Sequence, residues 1–159
     1  MKRRALLGLS GAVLSGLAGC STGATDSSGA PKRVATGPAG GCQSKITAQQ
    51  YPDPPSTLTE ERVVEFVKRY ERAQIINQSA GDHGSLSVRI TVESVSQTDD
   101  GWLIQLGGGM SQEGCGDGNS YVSDGIVAAH YFVNETAVYR ADTFAETAGD
   151  PRQNGTKVA

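Results

Sequence analysis

Histidine, basic charge and long apolar runs are all scarce in this chain, and each shortage closes off a class of function. Only two histidines, His83 and His130, stand among 159 residues. Neither has a cysteine or carboxylate at the spacing of a zinc or copper site, so no cofactor is expected. Lys and Arg total 14 against 17 Asp and Glu, which leaves no basic footprint for nucleic acid. The apolar stretch from Ala5 to Ala18 is shorter than the ~20 residues of a membrane-spanning helix and reads as an export element. Cysteine is confined to Cys20, Cys42 and Cys115.

What is present at the N-terminus is specific. Lys2-Arg3-Arg4, the apolar stretch, and Leu17-Ala18-Gly19-Cys20 supply the basic start, apolar core and small pre-cleavage residues of a secretory signal. The closing string resembles the box of bacterial and archaeal lipoproteins, where a cysteine thiolate is nucleophilic enough to accept a lipid. That resemblance implies cleavage before Cys20, a lipid on Cys20, and anchoring to the outer face of the cytoplasmic membrane. Arg3-Arg4 also resembles the twin-arginine export signal, with Lys2 and Leu6 departing from its usual residues. Without Lys2, Arg3 and Arg4 the chain keeps 11 basic against 17 acidic residues, a formal charge of −6. An acidic surface of this kind stays hydrated when salt screens other interactions.

Residues 21–41 are Ser, Thr, Gly, Ala and Pro with almost no large apolar side chain, so they read as a flexible tether. Residues 147–159 read as a polar, frayed tail. Between them, 42–146 is long enough for one small domain. It holds Cys42 and Cys115, which in an oxidising compartment are expected to form a disulfide.

The domain's pattern predicts an α+β fold. Prolines at 52, 54 and 55 exclude a helix there, and Thr57 with Glu60 fits a capping box. Val63, Phe66, Val67, Tyr70 and Ala73 then recur at steps of three and four, predicting one long helix to about Asn77 that Gly81 ends. Leu86, Val88, Ile90 and Val92 alternate with polar residues as a half-buried strand. Asp99-Asp100-Gly101 turns the chain into a second strand, Trp102 to Leu106. A Gly-rich excursion from 107 to 119 precedes a strand from Tyr121 to Val133, and Asn134-Glu135 turns into a fourth, Thr136 to Asp142. One helix against a curved, roughly four-stranded antiparallel sheet is the expected architecture.

That order of elements resembles the cystatin-like and nuclear-transport-factor-like families, which implies a sheet wrapping a helix and a cone-shaped pocket. The runs Glu65 to Glu71 and His130 to Arg140 are similar to haloarchaeal lipoproteins, a likeness that implies a lineage and no mechanism.

Candidate chemistry is thin. His130 with Asp124 is the least unfavourable acid/base pair for a small hydrolase or isomerase, while Asp82-His83 reads as an exposed turn. Glu113, Asp117, Asn119 and Asp124 gather oxygen ligands, but Tyr121 and Val122 break the calcium-loop spacing. Gly107-Gly108-Gly109 lacks the Lys and Ser/Thr of a phosphate loop and reads as a bend or bulge. Asn77, Asn134 and Asn154 each begin an Asn-x-Ser/Thr glycosylation sequon. The function expected is a surface-anchored binding module, held by membrane lipid through Cys20. Its partner would be an envelope protein or small ligand, met by Trp102, Tyr121 or Tyr131 if they face outward. The pocket enzyme is the alternative.

Overall fold

The computed structural model describes residues 44–116, 119–142 and 149–159; Cys20, Cys42, Asp117 and the tether lie outside them. Helix α1, Glu60–Gln78, packs on one face of an antiparallel sheet. The sheet is a plain meander in the order β1 (Gly84–Thr98), β2 (Gly101–Gly116), β3 (Asn119–Val133), β4 (Val138–Asp142) and β5 (Thr156–Lys157). The α+β architecture read from the sequence is therefore the one observed.

The cap of α1 lies two residues beyond the expected box. Thr59 is the N-cap, its hydroxyl accepting from the Arg62 amide at 3.4 Å, while Glu60 and Glu61 occupy the first turn, where the dipole favours acid. The apolar face buries Val63, Phe66, Val67, Tyr70 and Ala73 as its periodicity requires, and Ile75 as well. Opposite it lie Val88, Ile90, Ile104, Leu106, Val127, Ala129, Tyr131 and Val133. Each fully buried aliphatic side chain of this kind contributes about 1.5–3 kcal/mol.

Alternation in β1 holds only to residue 92. A bulge between Val92 and Ser94 inserts Glu93, so Val95, opposite Ile104, continues the inward set while Val92 is left 37% exposed. The Gly-rich excursion is not a loop. It continues β2 without interruption, paired on both sides from Gly107 to Gly114. Side chains across the pair occupy the space a Cβ would take: Tyr121 of β3 lies over Gly114, and Met110 of this stretch lies over Gly125 of β3.

Nor is the tail frayed at its end. Asp150 caps the short helix α2, Pro151–Asn154, with Pro151 at its first turn. The chain then adds β5 to β4, with Val158 donating to Val138 O at 2.8 Å and Val138 donating to Ala159 O at 2.7 Å. Pro151 and Phe132 are buried on the sheet face away from α1, with the Arg152 guanidinium 4.5 Å from the Phe132 ring centre.

At the other end, residues 44–46 are fastened to the turn after α1. Gly84 donates to Ser44 O at 2.8 Å, Ile46 donates to Asp82 O and Gly81 to Ile46 O, both at 2.9 Å. Of the expected Cys42–Cys115 pair, Cys115 alone lies among the described residues. Cys42 lies outside them, and Cys115, itself disulfide-bonded, meets the turn through its amide on His83 O at 3.2 Å.

Candidate functional site

Glu71 is buried to 2% exposure on the apolar face of α1, four residues after Val67 and four before Ile75. A carboxylate in that position must be paired and hydrogen-bonded to be tolerated. Arg140 of β4 supplies the pair, with Nε 2.7 Å from one oxygen and a terminal nitrogen 2.9 Å from the other. Tyr131 of β3 donates its hydroxyl to Glu71 at 2.6 Å. The register explains the convergence, since Tyr131 and Arg140 are Cα partners across β3 and β4 and so project to the same face.

Electrostatics follow from this geometry. The hydrogen bonds that Arg140 donates to Glu71 raise its pKa above its already high value, against the opposing effect of burial. Burial first, and the neighbouring Glu71 charge second, hold the Tyr131 hydroxyl protonated far beyond its ordinary range. Tyr70, stacked on Tyr51 at 4.7 Å and edge-on to Tyr131 at 6.3 Å, is likewise raised, chiefly by burial.

A cleft of about 250 Å³ opens beside the cluster, lined by Ile75 and Gln78 of α1, Met110 of β2, Val127 of β3, and Arg140 and Asp142 of β4. Asp142 binds the remaining Arg140 terminal nitrogen at 2.8 Å and is 63% exposed, so it brings negative charge to the mouth. With Glu71 and Asp142 against Arg140 alone, the polar wall carries a net single negative charge.

The cleft lies where β4 stops. β4 pairs with β3 only over Ala129–Val133, and among the described residues no strand flanks β3 on that side from 119 to 128. This uncovered length carries Tyr121, Val122 and Ile126, at 47%, 61% and 72% exposure the most exposed large apolar side chains described. Of the three candidate contact aromatics, Tyr121 faces outward, Trp102 is half-buried against the core, and Tyr131 is fully buried.

His130 and Asp124 are not brought together. Both project to the face away from α1, but six residues along one strand place them about 20 Å apart. His130 is half-buried, facing the segment at Gly149 and Asp150, and its Nδ1 is buried without a hydrogen-bond partner among the described residues. Burial lowers its pKa, opposed by the Asp150 charge and a hydrogen bond with the Gly149 backbone.

A depressed folded-state pKa means that the unfolded chain takes up the proton first. The His130 contribution should therefore be intact above pH 6.5, the ordinary histidine value, and decline as pH falls toward the folded pKa. Urea unfolding between pH 7.5 and 5 should show that decline, and His130→Gln should flatten it. An unchanged slope in the variant would remove His130 as its source.

The sequons sit in different settings. The Asn77 side chain both accepts from the Gln49 amide at 2.7 Å and donates to its carbonyl at 3.0 Å, pinning that segment. Asn134 uses its oxygen to cap the β3–β4 turn at Thr136 and Ala137, and Asn154 is exposed within α2.

Glu71 is the functional residue that the sequence reading missed, though a signal was present. Val67, Glu71 and Ile75 follow one another at steps of four, so the carboxylate falls inside the apolar stripe. Comparison with protein-family models, with curated proteins and with solved structures finds no match for this chain.

Proposed function

We propose that this chain is a lipid-anchored extracytoplasmic binding module that takes an extended, basic peptide of an envelope protein onto the uncovered side of β3. The anchoring half of the reading rests on Leu17-Ala18-Gly19-Cys20 behind its basic and apolar segments. Its likeness to haloarchaeal lipoproteins agrees with export to an outer surface.

The binding half is carried by one observation, the length of β3 from 120 to 128 that no strand flanks on the β4 side among the described residues, with its exposed Tyr121, Val122 and Ile126. A strand edge presents rows of backbone donors and acceptors that a further strand satisfies. Peptides added in this way gain affinity from main-chain bonds and selectivity from alternate side chains. Charge favours a basic occupant: the chain without its signal has a formal charge of −6, and Glu113, Asp124 and Asp142 stand on or beside this edge.

Metabolic lipid labelling and fractionation test the anchor. Cys20→Ser should lose the label and appear in the medium, and full membrane retention of the variant would refute it. Hydrogen exchange tests the edge: amides in 120–128 should exchange quickly in the protein alone and slow when a basic extended peptide is added. Slow exchange without peptide would show the edge to be covered already and would overturn the reading.

A further inference from the structure

We propose that the folded domain carries an N-linked saccharide on Asn134 and excludes one from Asn77, an inference that rests on export to an outer surface. The three sequons are equivalent in sequence and unlike in structure. At the β3–β4 turn, Asn134 Oδ1 accepts from the Thr136 amide at 3.0 Å, the Thr136 hydroxyl at 3.1 Å and the Ala137 amide at 2.8 Å. Every bond by which this side chain supports the turn therefore falls on its oxygen. Its Nδ2 donates to none of the described residues and is not buried, and Glu135 and Thr136 beside it are exposed.

Saccharide transfer needs that division between the two amide atoms. The amide Nδ2 attacks the anomeric carbon of a lipid-phosphate-linked saccharide. The N–C bond forms, the C–O bond to phosphate breaks with its electron pair leaving on the phosphate, and one Nδ2 proton passes to a base of the transferase. The product is still an amide. Its carbonyl oxygen keeps all three bonds of the turn, and the donors gathered there offset the negative charge that reaches the oxygen as the nitrogen gives up its proton. Asn77 offers no such nitrogen. Its Nδ2 donates to Gln49 O at 3.0 Å while its oxygen accepts from the Gln49 amide at 2.7 Å, so a saccharide there must lift the segment at Gln49 off α1. Asn154 is exposed, yet its nitrogen packs over Gly149 and fills the space of a Cβ. Position agrees with the choice of Asn134. It borders Gly101 at the end of the sheet, roughly 20 Å along β3 from residue 128, so a saccharide at the tip stands clear of residues 120–128.

The test maps saccharide-bearing peptides by mass spectrometry on the full chain recovered from its own cells, with protease added to intact cells reporting export. Asn134 should be the most occupied of the three sequons, and Asn77 about tenfold less occupied, the scale set by two hydrogen bonds that must break. Asn134→Asp keeps an acceptor oxygen for the turn and offers no amide nitrogen, so it should unfold in urea as the parent does and lose the saccharide mass. Thr136→Ser keeps the hydroxyl and should retain it. A bare Asn134 on chain that external protease reaches would overturn the site and leave export standing. A bare Asn134 on chain that the protease cannot reach would sink export and saccharide together. Equal occupancy of Asn77 and Asn134 would mean transfer to an unfolded chain and would overturn selection by the fold.

Discussion

Glu71→Ala should lower the unfolding free energy by about 3–5 kcal/mol, because it strands a buried guanidinium and a buried hydroxyl together. Arg140 would lose both charge-assisted bonds at 2.7 and 2.9 Å, and Tyr131 its acceptor at 2.6 Å. Replacing the whole cluster should cost far less. Glu71→Leu with Arg140→Met and Tyr131→Phe removes every group that needs a partner, and buried ion pairs exchanged for apolar side chains are often neutral or stabilising. Urea unfolding of the two variants separates the cases. A triple variant as unstable as Glu71→Ala would show that the cluster contributes net stability and not only an avoided penalty.

Gly108→Ala should destabilise by about 3 kcal/mol, combining left-handed backbone strain with a forced displacement of the neighbouring strand. Gly108 has φ +144°, and a Cβ there would come within 2.1 Å of the Arg89 carbonyl oxygen. The adjacent Gly109→Ala should change stability by less than about 1 kcal/mol, since its Cβ would meet nothing closer than the Gly125 oxygen at 3.5 Å. The comparison is read from urea midpoints at constant slope. Equal effects at the two positions would mean that the strand tolerates side chains generally and that the backbone at Gly108 is not the constraint.

Side-chain pattern decides which parts of this fold can be read from sequence. The α1 face is legible because Val63, Phe66, Val67 and Tyr70 repeat at helical spacing, and the 98–101 turn because Asp99-Asp100-Gly101 has one dominant geometry. β2 beyond Leu106 is illegible for the opposite reason. Glycine has no side chain to alternate, and the cross-strand contacts of Tyr121 over Gly114 and Met110 over Gly125 form only after folding. At the tail, Asp150-Pro151 is a helix-start signal that low hydrophobicity obscures. The candidate site is the least readable part. Its members, Glu71, Tyr131 and Arg140, are separated by up to 69 residues and are joined by strand register, which no local pattern encodes.

Cys115 is disulfide-bonded at the sheet's end, while its expected partner, Cys42, lies outside the described residues.

The fastening of residues 44–46 to the turn at 81–84 gives the domain a near end and a far end. β1 starts at that turn and runs 15 residues to Thr98, so the Thr98–Gly101 turn stands roughly 45 Å away along the sheet. Gly84 faces Gly114, and Gly114 faces Tyr121, so the uncovered stretch of β3 begins at the near end. A chain held from upstream of Ser44 would keep that stretch close to its point of attachment and project the opposite turn outward. Tension on the segment would load the bonds at Ser44, Ile46 and Gly81 before it reached the core.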